Sequence, residues 1–250
     1  MNSTANIKQA LIDSGEEWSP VWQNVLDKSP SYLSAYYRLR QVPLQKQALP
    51  RKLQDLILLA IDAQCTHLFA PGVKLHTAAA LKAGATQAEI IETLELASVL
   101  GVHSVTVGVP LLQEVLAERG ESLPSDEALS PKQQQLKDSF IRQRGYWSGS
   151  WPPVLQLSPE FFEAYTEYSS VPFQEGHSNL TPWFKELVYC AIDCATTHLF
   201  APGLKIHIRN ALEKGASKEQ VMEVFELASL MGVETVKMGI EALVKVEGKE

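Results

Sequence analysis

Two stretches of this 250-residue chain gather acid, hydroxyl and imidazole groups at matching intervals. The first is Ala60-Ile-Asp-Ala-Gln-Cys-Thr-His-Leu-Phe-Ala-Pro-Gly-Val-Lys-Leu-His76. The second is Ala191-Ile-Asp-Cys-Ala-Thr-Thr-His-Leu-Phe-Ala-Pro-Gly-Leu-Lys-Ile-His207. Twelve of seventeen positions are identical, and Asp62 to Asp193, His67 to His198 and His76 to His207 are each 131 residues. A constant offset of this kind marks an internal duplication.

Asp62 and Thr66 are four residues apart and so share a helix face. A Pro-Gly turn then reverses the chain, and the spacing predicts that His76 opens the next helix. The N-terminal end of that helix favours anions and lowers the pKa of a nearby imidazole. A neutral imidazole whose tautomer is fixed by an acid or hydroxyl is a general-base arrangement. His76 and His207 are therefore the candidate general acid/base groups. His67 and His198 would hold a substrate carboxylate or assist proton transfer, and Asp62 and Asp193 would orient an imidazole. Thr66, Thr197 and the amides of Gly72 and Gly203 are the candidate substrate contacts. Two histidines and an acid per half also meet a His₂-carboxylate count. Asp62, His67 and His76 have unusual ligand spacing, however, so no metal is assigned, and no cofactor is expected.

The elements that position these groups repeat as well. Trp18, Trp22, Pro30, Tyr36 and Val42-Pro43 match Trp147, Trp151, Pro159, Tyr165 and Val171-Pro172 at an offset of 129 residues. The change from 129 to 131 places a two-residue insertion near residues 175–179. The halves are residues 5–120 and 134–247, with a polar, Pro-containing linker at 121–133. Both halves read as helical. Ser29-Pro30 and Ser158-Pro159 look like N-caps followed by Pro at the first helical position. Thr86 to Glu89 and Ser217 to Gln220 are capping boxes. Leu53, Leu56, Ile57 and Ala60 recur at helical spacing, as do Phe184, Leu187, Val188 and Ala191. Ala-Pro-Gly reads as a break, with a helix restarting near Val73 and ending at Gly84. Residues 102–107 are ambiguous alone, but their counterpart at 233–240 continues into a helical pattern, so both are read as helix. Glu92, Glu95, Glu223 and Glu226 read as solvated or interface helix residues. The tryptophans read as packing. His103 and His177 lack a histidine in the other half, Glu234 standing opposite His103, and read as structural or surface residues.

Composition narrows the function classes. With 45% hydrophobic residues and a net charge of −7, the chain is an ordinary globular sequence without a basic cluster. Nucleic acid and membranes are not expected partners; a small-molecule substrate is. The N-terminus lacks the pattern of a secretory signal. The run from Val99 to Leu112 is too short and too polar to span a bilayer. Three cysteines are too few for a disulfide framework and point to a cytoplasmic setting.

The block from His76 through Ala-Leu, Gly84 and a Thr-and-Glu helix start to Glu92, with its copy from His207 to Glu223, resembles the carboxymuconolactone decarboxylase and alkyl hydroperoxidase D superfamily. The resemblance covers about residues 52–112 and 183–243. It implies an all-α fold of two tandem repeats related by pseudo-two-fold symmetry. It also implies a homo-oligomer, either a trimer with pseudo-hexameric symmetry or a dimer. The hydroperoxidase branch carries a Cys-x-x-Cys ahead of the histidine. Here those positions hold Phe69 and Gly72, and Phe200 and Gly203. No cysteine is shared between halves, since Cys65, Cys190 and Cys194 stand opposite Thr196, Leu59 and Ala63. The decarboxylase branch keeps the histidine without the dithiol. The leading expectation is thus a cofactor-independent lyase acting on a small organic acid or lactone. The alternatives are a peroxiredoxin-like antioxidant protein, a His-carboxylate metal site and a non-catalytic assembly module.

Overall fold

The computed structural model of the chain describes residues 4–122 and 129–248, so residues 123–128 of the expected linker lie outside the described residues. Among the described residues every regular element is helical. Each half opens with a three-helix arm. In the first half this is α1 (Thr4–Asp13), α2 (Pro20–Lys28) and α3 (Pro30–Lys46); in the second it is α8 (Pro131–Arg144), α9 (Trp151–Leu157) and α10 (Pro159–Ser170). The repeat cores follow as α4 (Arg51–Ala63), α5 (Ala70–Lys82), α6 (Gln87–Ser98) and α7 (His103–Glu118), then α11 (Pro182–Cys194), α12 (Ala201–Glu213), α13 (Lys218–Ser229) and α14 (Val233–Glu247).

Local signals hold at most of these ends. Both capping boxes form, Thr86 with Glu89 and Ser217 with Gln220. Gly84 takes the left-handed conformation just beyond α5 (φ 91°). Ser29 and Ser158 occupy N-cap positions, yet neither side chain makes a capping bond. The second arm starts at Pro131, inside the segment expected to be linker, because Ser130 and Gln133 form a further capping box. Ala-Pro-Gly is not a break: Pro71 and Pro202 sit in the first turns of α5 and α12.

The two halves are not separate bodies. One core takes Leu56, Ile57, Ala60 and Leu96 from the first half and Leu187, Val188, Ala191 and Leu227 from the second. The arms are exchanged across it. Trp22, Val25 and Leu33 of the first arm pack on Val233 and Ile240 of α14, and Phe140, Trp151 and Phe162 of the second arm pack on Val102, Val105 and Val109 around the start of α7.

Two carboxylates read as solvated or interface helix residues turn out to tie the halves together. Glu92 of α6 accepts the backbone amides of Asn179 (2.6 Å) and Leu180 (3.0 Å) and pairs with Lys185 Nζ at 2.7 Å. Glu223 of α13 accepts the amides of Ala48 (2.8 Å) and Leu49 (3.1 Å) and the Gln54 amide at 2.9 Å. Both are fully buried. Each supplies acceptors to donors just before a core helix of the other half, where the helix dipole also favours an anion. Glu95 and Glu226 stay at the periphery, paired with His177 and Lys46.

Residues 87–118 form a 32-residue helical run holding an 18-residue window of mean hydropathy 1.5, long and apolar enough by those measures to cross a membrane. The 99–112 stretch judged too short is lengthened by α6. However, α6 is committed to the core, carrying buried Ile90, Glu92, Leu96 and Ala97. By contrast, α7 has no buried residue and leaves Val107, Leu111, Leu112 and Val115 exposed.

Candidate active site

The corner between α4 and α5 is the same in both halves. Leu68 and Leu199 adopt left-handed conformations (φ 48° and 52°), which lets the Phe69 and Phe200 amides bond back to the Asp62 and Asp193 carbonyls at 2.8 and 2.9 Å. The chain thereby folds each aspartate against the first turn of the following helix. A Cβ on Gly72 would lie 2.1 Å from Asp62 Oδ2, and one on Gly203 would lie 2.4 Å from Asp193 Oδ2. Both glycines are buried and make room for a carboxylate. The histidines expected in a first turn are one turn deeper, because α5 and α12 begin at Ala70 and Ala201.

In the first half, Asp62 lies between the two imidazoles: Oδ1 is 3.7 Å from His67 Nε2 and Oδ2 is 3.6 Å from His76 Nε2. The other face of His76 looks to Asp55, 3.8 Å from Nδ1. Burial, partly opposed by His76, pushes the Asp62 carboxyl up to about 6. Burial also acts on Asp55, but the nearby His76 imidazole and the bond from Arg51 Nε (2.9 Å) hold it below the usual carboxylate range. Asp62 and His76 line a cavity of about 90 Å³, with His67 and Asp55 outside its lining; its far wall comes from the first arm (Glu16, Trp22, Tyr36, Arg40) and from the other half (Val233, Glu234, Lys237). Its cations are matched internally, Arg40 by Glu16 at 3.3 Å and Lys237 by Glu234 at 2.8 Å.

The second-half cavity, about 100 Å³, is built on the same plan with different groups. His207 Nδ1 bonds Glu186 at 2.7 Å, and Lys214 binds the same carboxylate. His103 arrives from α7 of the first half, and its Nδ1 is 2.6 Å from His198 Nε2. The two rings are parallel within 1° with centroids 4.9 Å apart, which together with the short contact puts them edge to edge in one plane. Phe200 stacks on His103 at 3.9 Å. Burial, then repulsion from His198 and His207, lowers His103 to about 4, so it is neutral at physiological pH. Asp193 Oδ1 is 3.9 Å from His103 Nδ1, and its Oδ2 is buried without a hydrogen-bond partner. Burial raises this carboxyl to about 8, so it keeps its proton near neutrality.

The expected residues divide accordingly. Asp62, His67 and His76 converge, as do Asp193 and His198, while His207 turns to Glu186. Thr66 and Thr197 line neither cavity. Their hydroxyls meet at 3.4 Å, as equivalent residues do across a two-fold axis, and Gln64 reaches the same Thr197 oxygen. That contact accounts for their recurrence without a substrate. His103 was misread: it completes the second cavity, and Glu234 takes its place in the first. The signal was a titratable residue two positions after Gly101 and after Gly232. Asp55 and Glu186 also escaped notice, although each stands seven residues before its aspartate, two turns along one helix face.

Ligating atoms of His103, Asp193 and His198 lie within 4.8 Å of one another, so these three could hold a metal ion; this is a different set from Asp62, His67 and His76. The thiols stand apart. Cys65 is exposed, and burial pushes Cys194 up to about 12 and Cys190 higher still.

Residues 30–117 and 159–243 match the carboxymuconolactone decarboxylase family. A comparison with curated proteins finds no match. Among solved structures, the chain is similar to a Burkholderia xenovorans LB400 protein provisionally named as a gamma-carboxymuconolactone decarboxylase subunit. The two share 41% identity over 99% of this chain and 98% of that one, with a TM-score of 0.93. A duplicated helical core, a histidine at the same place in each copy and a match across both copies lead to one conclusion: the chain belongs to the carboxymuconolactone decarboxylase family.

Proposed function

We propose that the chain is a cofactor-independent lyase that decarboxylates a small organic acid or lactone acid. The observation that carries this reading is the protonated Asp193 carboxyl on the cavity wall beside the coplanar His103–His198 pair. Loss of carbon dioxide breaks a carbon–carbon bond and leaves its electron pair on the substrate, where an adjacent carbonyl takes it up as an enolate. The enolate carbon then needs a proton. Asp193 holds one at neutral pH, and the imidazole pair can return it from solvent. His207, fixed by Glu186, steadies the developing oxyanion. The first-half cavity, with Glu16 and Glu234 on its wall and Asp62 at about 6, is not assigned this turnover; there Asp62, His67 and His76 keep the same corner without the neutral-pH proton donor.

The test is carbon dioxide release from a panel of oxo acids and lactone acids, with Asp193→Asn, His103→Gln and His207→Gln beside the wild type. Each variant should lose about 10²-fold or more. Unchanged release in Asp193→Asn, or no release from any acid by the wild type, removes the reading.

The His103, Asp193 and His198 cluster favours a second reading, in which a bound metal would act as the Lewis acid. Elemental analysis of purified protein showing no transition metal would dismiss it. We also propose a homo-oligomer, a trimer or a dimer. Val107, Leu111 and Val115 form an exposed apolar row on α7, one turn apart, that a second copy would cover. Sedimentation showing a monomer at micromolar concentration counts against it.

A further inference from the structure

The two cavities differ in one respect that bears on what they bind. In the first, the Glu16 carboxylate is held from two sides: Trp22 Nε1 donates to Oε1 at 3.0 Å, and Arg40 lies 3.3 Å from Oε2. In the second, Gly145 stands where the 129-residue offset places Glu16, so this carboxylate is gone. The groups that would hold one remain. Trp151 takes the place of Trp22, and its Nε1 is buried with no carboxylate partner, only the Tyr146 hydroxyl beside it. An arginine is present too, but from a new position. Arg144, at the end of α8 and opposite Gly15, lines the second cavity as Arg40 lines the first, while Ser169 stands at the position matching Arg40.

Arg144 donates to the Ser169 carbonyl and to the Tyr189 hydroxyl (3.3 Å), and no carboxylate is among its partners. A guanidinium has five N–H donors, so donors remain for a ligand. Tyr189 accepts from Arg144 and so keeps its own proton to donate. Arg144 also lies over the Phe173 ring at 4.4 Å, so what the cation and the buried indole N–H on this cavity wall both lack is an anion, which a ligand carboxylate would supply.

We propose that the second-half cavity binds a small carboxylate at Arg144 and Trp151 Nε1, in the position that Glu16 fills in the first half, and that the chain therefore has one carboxylate site rather than two. The inference rests on the lyase reading only in taking this carboxylate to be the substrate's.

Calorimetric titration with 2-furoate, a five-membered ring bearing a carboxylate, tests it, with neutral 2-furamide as the control. One furoate per chain is expected, with furamide at least tenfold weaker. Arg144→Met should weaken furoate at least tenfold, and Trp151→Phe, which keeps the ring and loses the N–H, several-fold. Arg144→Lys keeps the charge and should lose less than Arg144→Met; if the methionine variant does not fold, the furamide control and Trp151→Phe still decide. Two furoates per chain, furamide binding as tightly as furoate, or affinity unmoved by both Arg144→Met and Trp151→Phe overturns the proposal. Binding is read without turnover, so a chain that binds furoate at Arg144 but decarboxylates nothing overturns the lyase reading alone.

Discussion

Asp193 makes stability depend on pH in the direction opposite to most paired carboxylates. Burial raises its carboxyl to about 8 from an ordinary 3.8, so the folded protein keeps a proton that the unfolded chain releases. Its contribution is most favourable below about pH 4, declines as pH rises toward about 8, and is flat above that. At ~1.4 kcal/mol per pH unit, the full cost of the ionised, 2% exposed side chain is ~6 kcal/mol, of which ~4 kcal/mol already applies at pH 7. Asp193→Asn has no proton to lose there, so the wild type serves as its own reference for every other titrating group. Any packing difference of the amide does not vary with pH; the slope carries the test. Urea unfolding of both proteins at about pH 5, 6, 7 and 8 should show the variant gaining ~4 kcal/mol on the wild type across that range. A difference constant within ~0.5 kcal/mol would show that Asp193 is ionised in the folded protein, and with it would go the proton donor of the proposed mechanism.

Gly203→Ala puts a methyl 2.4 Å from Asp193 Oδ2, and should cost ~1–3 kcal/mol in unfolding experiments; a loss below ~0.5 kcal/mol would mean the aspartate moves away freely. Glu92→Ala leaves Lys185, itself 2% exposed, charged and without its carboxylate, and should cost ~3–5 kcal/mol. Adding Lys185→Met should recover part of that loss, and a double variant no better than the single one contradicts the pairing. Glu16→Ala exposes the Arg40 and Trp22 donors in the first cavity. Its melting temperature should rise with added acetate more steeply than that of the wild type, whereas parallel responses would show that no anion site was opened.

Features set by neighbours in sequence were legible. The capping boxes at Thr86 and Ser217, the left-handed Gly84 and the convergence of Asp62, His67 and His76 all follow from spacing within one helix or one turn. What was missed is set by partners far along the chain. Nothing near Glu92 announces that its acceptors serve amides 87 and 88 residues away, so an amphipathic position read as solvent-facing. His103 escaped for the same reason. It was compared with its copy, Glu234, when its working partner is His198, from the other half. Thr66 and Thr197 show the reverse: a hydroxyl repeated at a promising corner of both halves meets its copy across the symmetry axis. Ala-Pro-Gly reads as a stop by its composition, although Pro in a first turn costs a helix nothing.

The reciprocal grip of Glu92 and Glu223 has a consequence for how this protein could change over time. Each half closes the other half's donors, so a single repeat on its own would need a second copy to complete it. In such a symmetric pair, any substitution appears in both sites at once, and a change that improves one cannot spare the other. Joining the copies in one chain removes that restriction while keeping the grip. Glu16 could then become Gly145 in one half alone, and Glu234 could stand where the other half has His103. The seam that makes the halves inseparable is also what freed their two cavities to differ.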